Sequence, residues 1–153
     1  MSRTADTRAR PGPTTDVEAD AQQALQRVLA GWNAAARDWN VEALAAMYTA
    51  DTVMFGGLPG HSIGIDGMRR YFGAYVGQLA GAELDLVDQH ILQVGDDSIL
   101  AQGFGVFGFQ RVDGRRTGTT MRTSWLLQRQ AGGDWRIRQH HFSTIPDKPP
   151  IDG

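Results

Sequence analysis

Residues Trp135 to Ser143 read WRIRQHHFS, and the fold can be worked outward from them. Side chains on a strand point alternately to opposite faces. Trp135, Ile137, Gln139, His141 and Ser143 therefore share one face, and Arg136, Arg138, His140 and Phe142 share the other. Two arginines open the second face, which marks it as water-facing there. The first face runs from apolar to polar along its length. A strand of this kind is expected to leave a core and enter a pocket. This reading puts His140 outside, with Trp125 and Phe142, in a position suited to a dimer interface.

Upstream, strand and turn recur. Ala82 to Val94 leads into a Gly95-Asp96-Asp97 turn, and Ser98 to Arg111 leads into a turn at Asp113-Gly114. Thr117 to Gln130 leads into Gly132-Gly133, and Asp134 to Phe142 closes a four-stranded antiparallel meander. Gly103, Gly105 and Gly108 fall mid-strand, where glycine marks a bend or a close approach, so the sheet is expected to curve strongly. In Ala82 to Val94, Leu84, Leu86, Leu92 and Val94 share a face with Asp88 and His90. Either the two polar residues face a cavity, or a bulge between them switches the register, and the bulge is slightly favoured.

The first half is helical. Thr15-Asp16-Val17-Glu18 fits a capping box. Leu25, Val28, Leu29, Trp32, Ala36 and Trp39 follow at spacings of three and four, which predicts one long amphipathic helix. Asn40 can cap a short second helix that turns Val41, Leu44, Met47 and Tyr48 inward, and Val53-Met54-Phe55 reads as a short strand. A glycine-rich loop carries His61, and Gly64 to Leu79 returns to helical period with Met68, Phe72, Tyr75, Val76 and Leu79 as its stripe. The layout is one α+β domain over residues 15–145, between tails at 1–14 and 146–153, with three helices across a curved antiparallel sheet.

Composition limits the function. Apolar content of 41% and charged content of 21% are those of an ordinary soluble globular domain. The net charge of −2 supplies no basic footprint for nucleic acid or an anionic membrane. Cysteine is absent, which removes thiol nucleophiles and thiolate metal sites and fits a cytoplasmic location. No apolar run reaches the ~20 residues of a membrane helix. His140 and His141 are neighbours on a strand and point apart, so they cannot chelate one ion, and no metal or other cofactor is expected.

The long first helix, a short second helix ending at MYTAD, a glycine-rich loop before a third helix, and the terminal meander ending WRIRQHHFS occur in a recognisable order. This order resembles the SnoaL-like branch of the nuclear transport factor 2-like superfamily, near the calcium/calmodulin-dependent kinase II association domain. The resemblance covers roughly residues 17 to 145. It implies a cone-shaped α+β domain, commonly a homodimer through the outer sheet face, with an interior cavity. In that superfamily the cavity serves ketosteroid isomerases, scytalone dehydratase, limonene epoxide hydrolase and polyketide cyclases, and in other members it has no catalysis. The catalytic constellations of the isomerase and the epoxide hydrolase are not visible here.

Candidate site residues follow from the pairing. A two-residue turn at Gly132-Gly133 would pair Ala131 with Asp134, placing Ser124 opposite His141 and Arg122 opposite Ser143. Arg122, Ser124, Gln139 and His141 would then form a polar cluster on the inner face. His141 would be an acid–base group and Arg122 an electrostatic stabiliser of a carbonyl or anion. The alternatives are a structural hydrogen-bond network, or a one-residue slip that puts Arg122 outside. Trp32 and Tyr48 are expected on the cavity side of the helices, as pocket lining or as core packing; His61 either lids the cavity or is solvated, and Phe55 is a further ligand-binding candidate. Asp88 and His90 line it if no bulge intervenes, and Asp51 is expected to cap a turn. Two functions fit. One is a pocket protein for a small apolar or aromatic ligand, which as an enzyme would be a cofactor-free isomerase, cyclase or dehydratase. The other is a non-catalytic dimeric association module.

Overall fold

The computed structural model describes residues 14–152, with side chains from Glu18 onward. The expected N-terminal tail, apart from Thr14, and the side chains of Thr15, Asp16 and Val17 in the expected capping box lie outside the described residues. Helix α1 spans Thr14–Ala36, α2 Val41–Ala45 and α3 Gly64–Gly73. The strands are β1 Tyr48–Phe55, β2 His61–Ile63, β3 Leu79–Gly95, β4 Ser98–Arg111, β5 Arg116–Arg129 and β6 Trp135–Thr144. They form one sheet in the order β2-β1-β6-β5-β4-β3. The expected meander supplies β3 to β6, and β1 then joins β6 in parallel, so the sheet is mixed. Among the described residues no helix is long and apolar enough to cross a membrane.

The apolar stripe of α1 packs on the concave face. Leu25, Val28 and Trp32 are buried with Leu44 of α2, Met68 and Phe72 of α3, and Ile99, Phe107, Trp125, Leu127 and Ile137 of the sheet. Helix α1 ends sooner than the stripe suggests. Trp39 takes a left-handed conformation (φ 48), its N–H donates to the Ala36 carbonyl, and the N–H of Asn40 reaches back to Ala35. That is a helix stop in which tryptophan occupies the place glycine usually takes. Asn40 caps α2 as expected, its Oδ1 accepting from the Ala43 N–H at 3.0 Å. Tyr48 belongs to the start of β1, not to a helix, and α3 stops at Gly73, which leaves Val76 exposed.

The ladder is interrupted at several points, and three interruptions within the body of the sheet accompany its curvature. In β3, Val87 pairs with Phe104 and His90 with Gln102, so Asp88 and Gln89 together oppose Gly103. This is the bulge expected between Asp88 and His90, and Asp88 adopts φ 52 to make it. A Cβ on Gly103 would lie 2.5 Å from the Asp88 carbonyl oxygen, so only glycine fits beneath it. In β6, Leu127 pairs with Ile137 and Leu126 with Gln139, which leaves Arg138 as an extra residue. Beside it, β1 bulges between Tyr48 and Val53.

The Arg138 bulge overturns the expected facing of β6. Ile137 points inward as expected, but beyond the bulge His140 and Phe142 point inward, and Gln139, His141 and Ser143 point outward. The hairpin is also one residue looser than expected. Gln130 and Asp134 close it around Ala131, Gly132 and Gly133, and Gly133 supplies the positive φ of a three-residue loop. The extra loop residue and the bulge offset one another. Ser124 therefore lies opposite His141 and Arg122 opposite Ser143 as the pairing predicts, but on the outer face.

Candidate functional site

Helices across a concave sheet leave a cavity of about 250 Å³ that opens to solvent at one end. One wall is the end of α1 and the turn after it, with Trp32 and Trp39, and a second is α3 and its extension, with Tyr71, Phe72 and Tyr75. The floor is the inner face of the sheet, where Phe107, Met121, His140 and Phe142 meet. These walls hold one another in place. The Trp39 indole N–H donates to the Phe72 carbonyl at 2.9 Å, and its ring meets the edges of Phe72 and Tyr75 at 5.7 and 5.9 Å. A wider groove of about 660 Å³ lies beyond the end of α1, lined by Arg37, Glu83, Asp85 and Arg116 among others. It is more open to water and its charges are mixed, so the aromatic cavity is the better ligand site.

At the cavity floor a buried polar chain begins. The Trp32 indole N–H donates to the Tyr48 hydroxyl at 3.2 Å, and that hydroxyl lies 2.9 Å from His140 Nδ1. Tyr48 is 0% exposed and His140 1%. Burial pushes the Tyr48 phenol well above its ordinary pKa, so it keeps its proton. Burial, with the neighbouring His141, pushes His140 down to about 3, so its imidazole is neutral. With the Tyr48 oxygen accepting from Trp32, the arrangement that leaves fewest buried groups unpaired puts the Tyr48 hydrogen on Nδ1 and the histidine hydrogen on Nε2. Nε2 is buried and has no hydrogen-bond partner. A buried polar atom without a partner thus lies where His140 borders the cavity.

Two further polar points border the space. The Gly57 N–H donates to the Tyr71 hydroxyl at 2.9 Å, and a Cβ on Gly57 would sit 3.3 Å from the Tyr75 hydroxyl and 3.6 Å from that of Tyr71. A Cβ on the preceding Gly56 would sit 2.6 Å from the Tyr71 hydroxyl, so glycine there lets the loop close over it. Burial, then Tyr75, raises the Tyr71 pKa, so it too remains neutral. Arg111, at the end of β4, stands at the mouth with Gln78 and Thr117. Among the described residues no aspartate or glutamate lines the cavity. Among the described residues no three His, Cys, Asp or Glu side chains are placed to share an ion.

Of the residues singled out from the sequence, Trp32 lines this cavity and Tyr48 lies beneath it. Arg122 and His141, expected as inner-face catalytic groups, are exposed on the convex face. Ser124 and Gln139 do meet, at 3.3 Å, but on that same face. Phe55 is 50% exposed and stacks on His61 at 4.4 Å, away from the cavity rim. Asp88 and His90 are exposed at and beyond their bulge. Asp51 lies within β1, where it accepts from the Thr49 hydroxyl at 2.9 Å and faces Arg138 at 3.4 Å across the paired bulges. His140, Trp125 and Phe142, expected outside, are all buried. The sequence reading missed His140, Arg111, Trp39 and Tyr71. The signal for Arg111 was alternation along β4, which sets it on the face of Phe107 and Phe109.

Comparison with known proteins agrees with this architecture. The SnoaL-like domain family matches residues 25–148. No curated protein matches the chain. Among solved structures, one described as a calcium/calmodulin-dependent protein kinase II association domain from Xanthomonas campestris is 20% identical, with a TM-score of 0.70 over 97% of this chain and 100% of that one. A nuclear transport factor 2-like superfamily protein from Salmonella enterica serovar Typhimurium is 18% identical, with a TM-score of 0.71 over 89% and 99%. A protein described as a scytalone dehydratase from Novosphingobium aromaticivorans is 13% identical, with a TM-score of 0.71 over 86% and 89%. At these identities the likeness is one of fold.

Proposed function

Because the chain belongs to the SnoaL-like domain family, matched over residues 25–148, we propose that its cavity binds a flat, largely apolar small molecule whose carbonyl oxygen accepts from His140 Nε2. The observation that carries this reading is the unpartnered Nε2 at the cavity floor, fixed from behind by Tyr48. A buried donor without an acceptor costs about 1–3 kcal/mol, which a ligand carbonyl would recover. The aromatic walls supply the remaining affinity and select planar ligands.

A hydrogen-bond donor at a carbonyl also suits proton transfer beside it, as in isomerisation, cyclisation or dehydration, because it stabilises an enolate oxygen. Such a step needs a base as well. With no carboxylate on the cavity lining among the described residues, and with both His140 nitrogens already engaged, the acceptor would be water. The burial that keeps His140 neutral also makes it a weak base. Binding is therefore the function these residues support best.

A second copy of the chain is the partner that the convex face fits. Register places Leu92, Leu100, Leu126, Gln139, Val53 and Ile63 in one row across all the strands. Leu92 and Ile63, at the two ends, are 57% and 58% exposed. A largely apolar row of this kind suits sheet-to-sheet homodimerisation.

The binding claim is tested by thermal unfolding with planar aromatic ketones and their hydrocarbon counterparts, on the parent and on His140→Phe. A ketone at a hundred times its dissociation constant should stabilise the parent by about 2.7 kcal/mol. It should stabilise the variant no more than the hydrocarbon does. Equal response to ketone and hydrocarbon in the parent would rule out the Nε2 contact.

A further inference from the structure

Resting on that cavity reading, we infer that the mouth of the cavity is an anion subsite built on Arg111, and that the ligand class is an apolar or aromatic carboxylate. Arg111 lines the cavity with Thr117 and Gln78, opposite the aromatic walls. Its Nε is buried and makes no hydrogen bond. The nearest acid, Asp113, stands off at 3.7 Å. Asp113 is held by Arg115, which donates from its backbone N–H at 3.0 Å and from Nε at 2.9 Å. Asp113 is thus hydrogen-bonded by Arg115 and reaches Arg111 only through a longer ion pair at Nε, which leaves Arg111 beside the cavity without a close carboxylate partner.

A guanidinium presents a planar fork that matches a carboxylate, and the low polarity of the adjoining walls strengthens the pairing. Among the described residues no carboxylate lines the cavity itself, and Asp113 is the one acid paired with Arg111 from outside it. The two polar ends then divide the ligand between them, with the anion at the Arg111 mouth and the ring system or carbonyl toward His140.

Titration calorimetry on the full chain with 2-naphthoate, neutral 2-naphthamide and 2-acetylnaphthalene separates the two claims. The parent should bind the naphthoate roughly tenfold more tightly than the amide. Arg111→Gln should abolish that preference. Arg111→Lys, which keeps the charge and serves if the glutamine variant fails to fold, should retain part of it. Asp113→Asn, which removes the neighbouring negative charge, should widen it. A naphthoate that binds no better than the amide overturns the subsite, as does an Arg111→Gln variant that weakens all three ligands alike. If the ketone and amide bind and the acid has no advantage, the subsite falls and the cavity reading stands. If none of the three binds, the cavity reading falls and takes the subsite with it.

Discussion

The Tyr48 hydroxyl lies 2.9 Å from Nδ1 of His140, joining the first residue of β1 to the inward face of β6 beyond its bulge. The same hydroxyl accepts from Trp32 of α1, so helix and sheet meet at one phenol. Replacing it with Tyr48→Phe leaves the Trp32 N–H and His140 Nδ1 without partners in a dry interior. We expect a loss of about 2–4 kcal/mol in urea unfolding, with little change in helix content at pH 7. Ketone binding should weaken as well, because Nδ1 no longer holds the proton on Nε2. A loss below about 0.5 kcal/mol would mean that the chain of bonds is incidental.

Acid should destabilise the fold through His140. Its pKa is pushed down to about 3 in the folded protein, against about 6.5 in an unfolded chain. Between those values the unfolded chain binds a proton that the folded protein excludes, so stability rises with pH across the window and falls as pH is lowered through it. The contribution is complete above about pH 6.5 and is lost progressively toward pH 3, to a limit of several kcal/mol. His141, which faces outward beside it, and Tyr48 are the titratable neighbours, and Tyr48 stays protonated throughout. Denaturant midpoints measured from pH 7 to pH 4 should fall in the parent, and more gently in His140→Gln.

Trp39 is held at φ 48 by its packing and its bond to Phe72. Trp39→Ala removes a cavity wall and keeps a side chain in a left-handed conformation. Trp39→Gly removes the same wall and relieves the backbone. Both should weaken ligand binding, and the glycine variant should be the more stable of the two by about 1 kcal/mol in chemical unfolding. An alanine variant at least as stable as the glycine variant would show that the helix stop carries no strain.

If the convex face joins two copies, one charge in the apolar row should part them. Leu126→Lys places an ammonium at the middle of the row, opposite Leu100 and Gln139. Sedimentation at micromolar concentration should give a dimer for the parent and a monomer for the variant, with ligand affinity at the opposite face retained. A parent that sediments as a monomer contradicts this assembly.

Much of the fold was legible because it rests on local rules. The stripe of α1, the Asn40 cap, the strand and turn spacing and the Asp88 bulge all follow from periodicity and turn chemistry. The site was less legible because a single extra residue reverses every side chain beyond it. The warning was present in WRIRQHHFS, where strict alternation puts Phe142 on the face of Arg136 and Arg138. The same kind of conflict in β3 was read as a bulge, and here it was not. In β5, Met121, Trp125 and Leu127 gave the inner face directly, against Arg122, Ser124 and Gln128 outside. The Tyr48–His140 bond could not be read locally, because it depends on β1 lying parallel to β6, a long-range pairing that no turn announces.

The central claim, a neutral His140 offering its Nε2 hydrogen to a ligand carbonyl, is tested most directly by nitrogen NMR of the imidazole. At pH 7 the account predicts a protonated Nε2 and an unprotonated Nδ1, with the Nε2 signal shifting when 2-acetylnaphthalene is added and Nδ1 little changed. A proton on Nδ1, a charged ring, or an Nε2 signal unmoved by saturating ketone would contradict it.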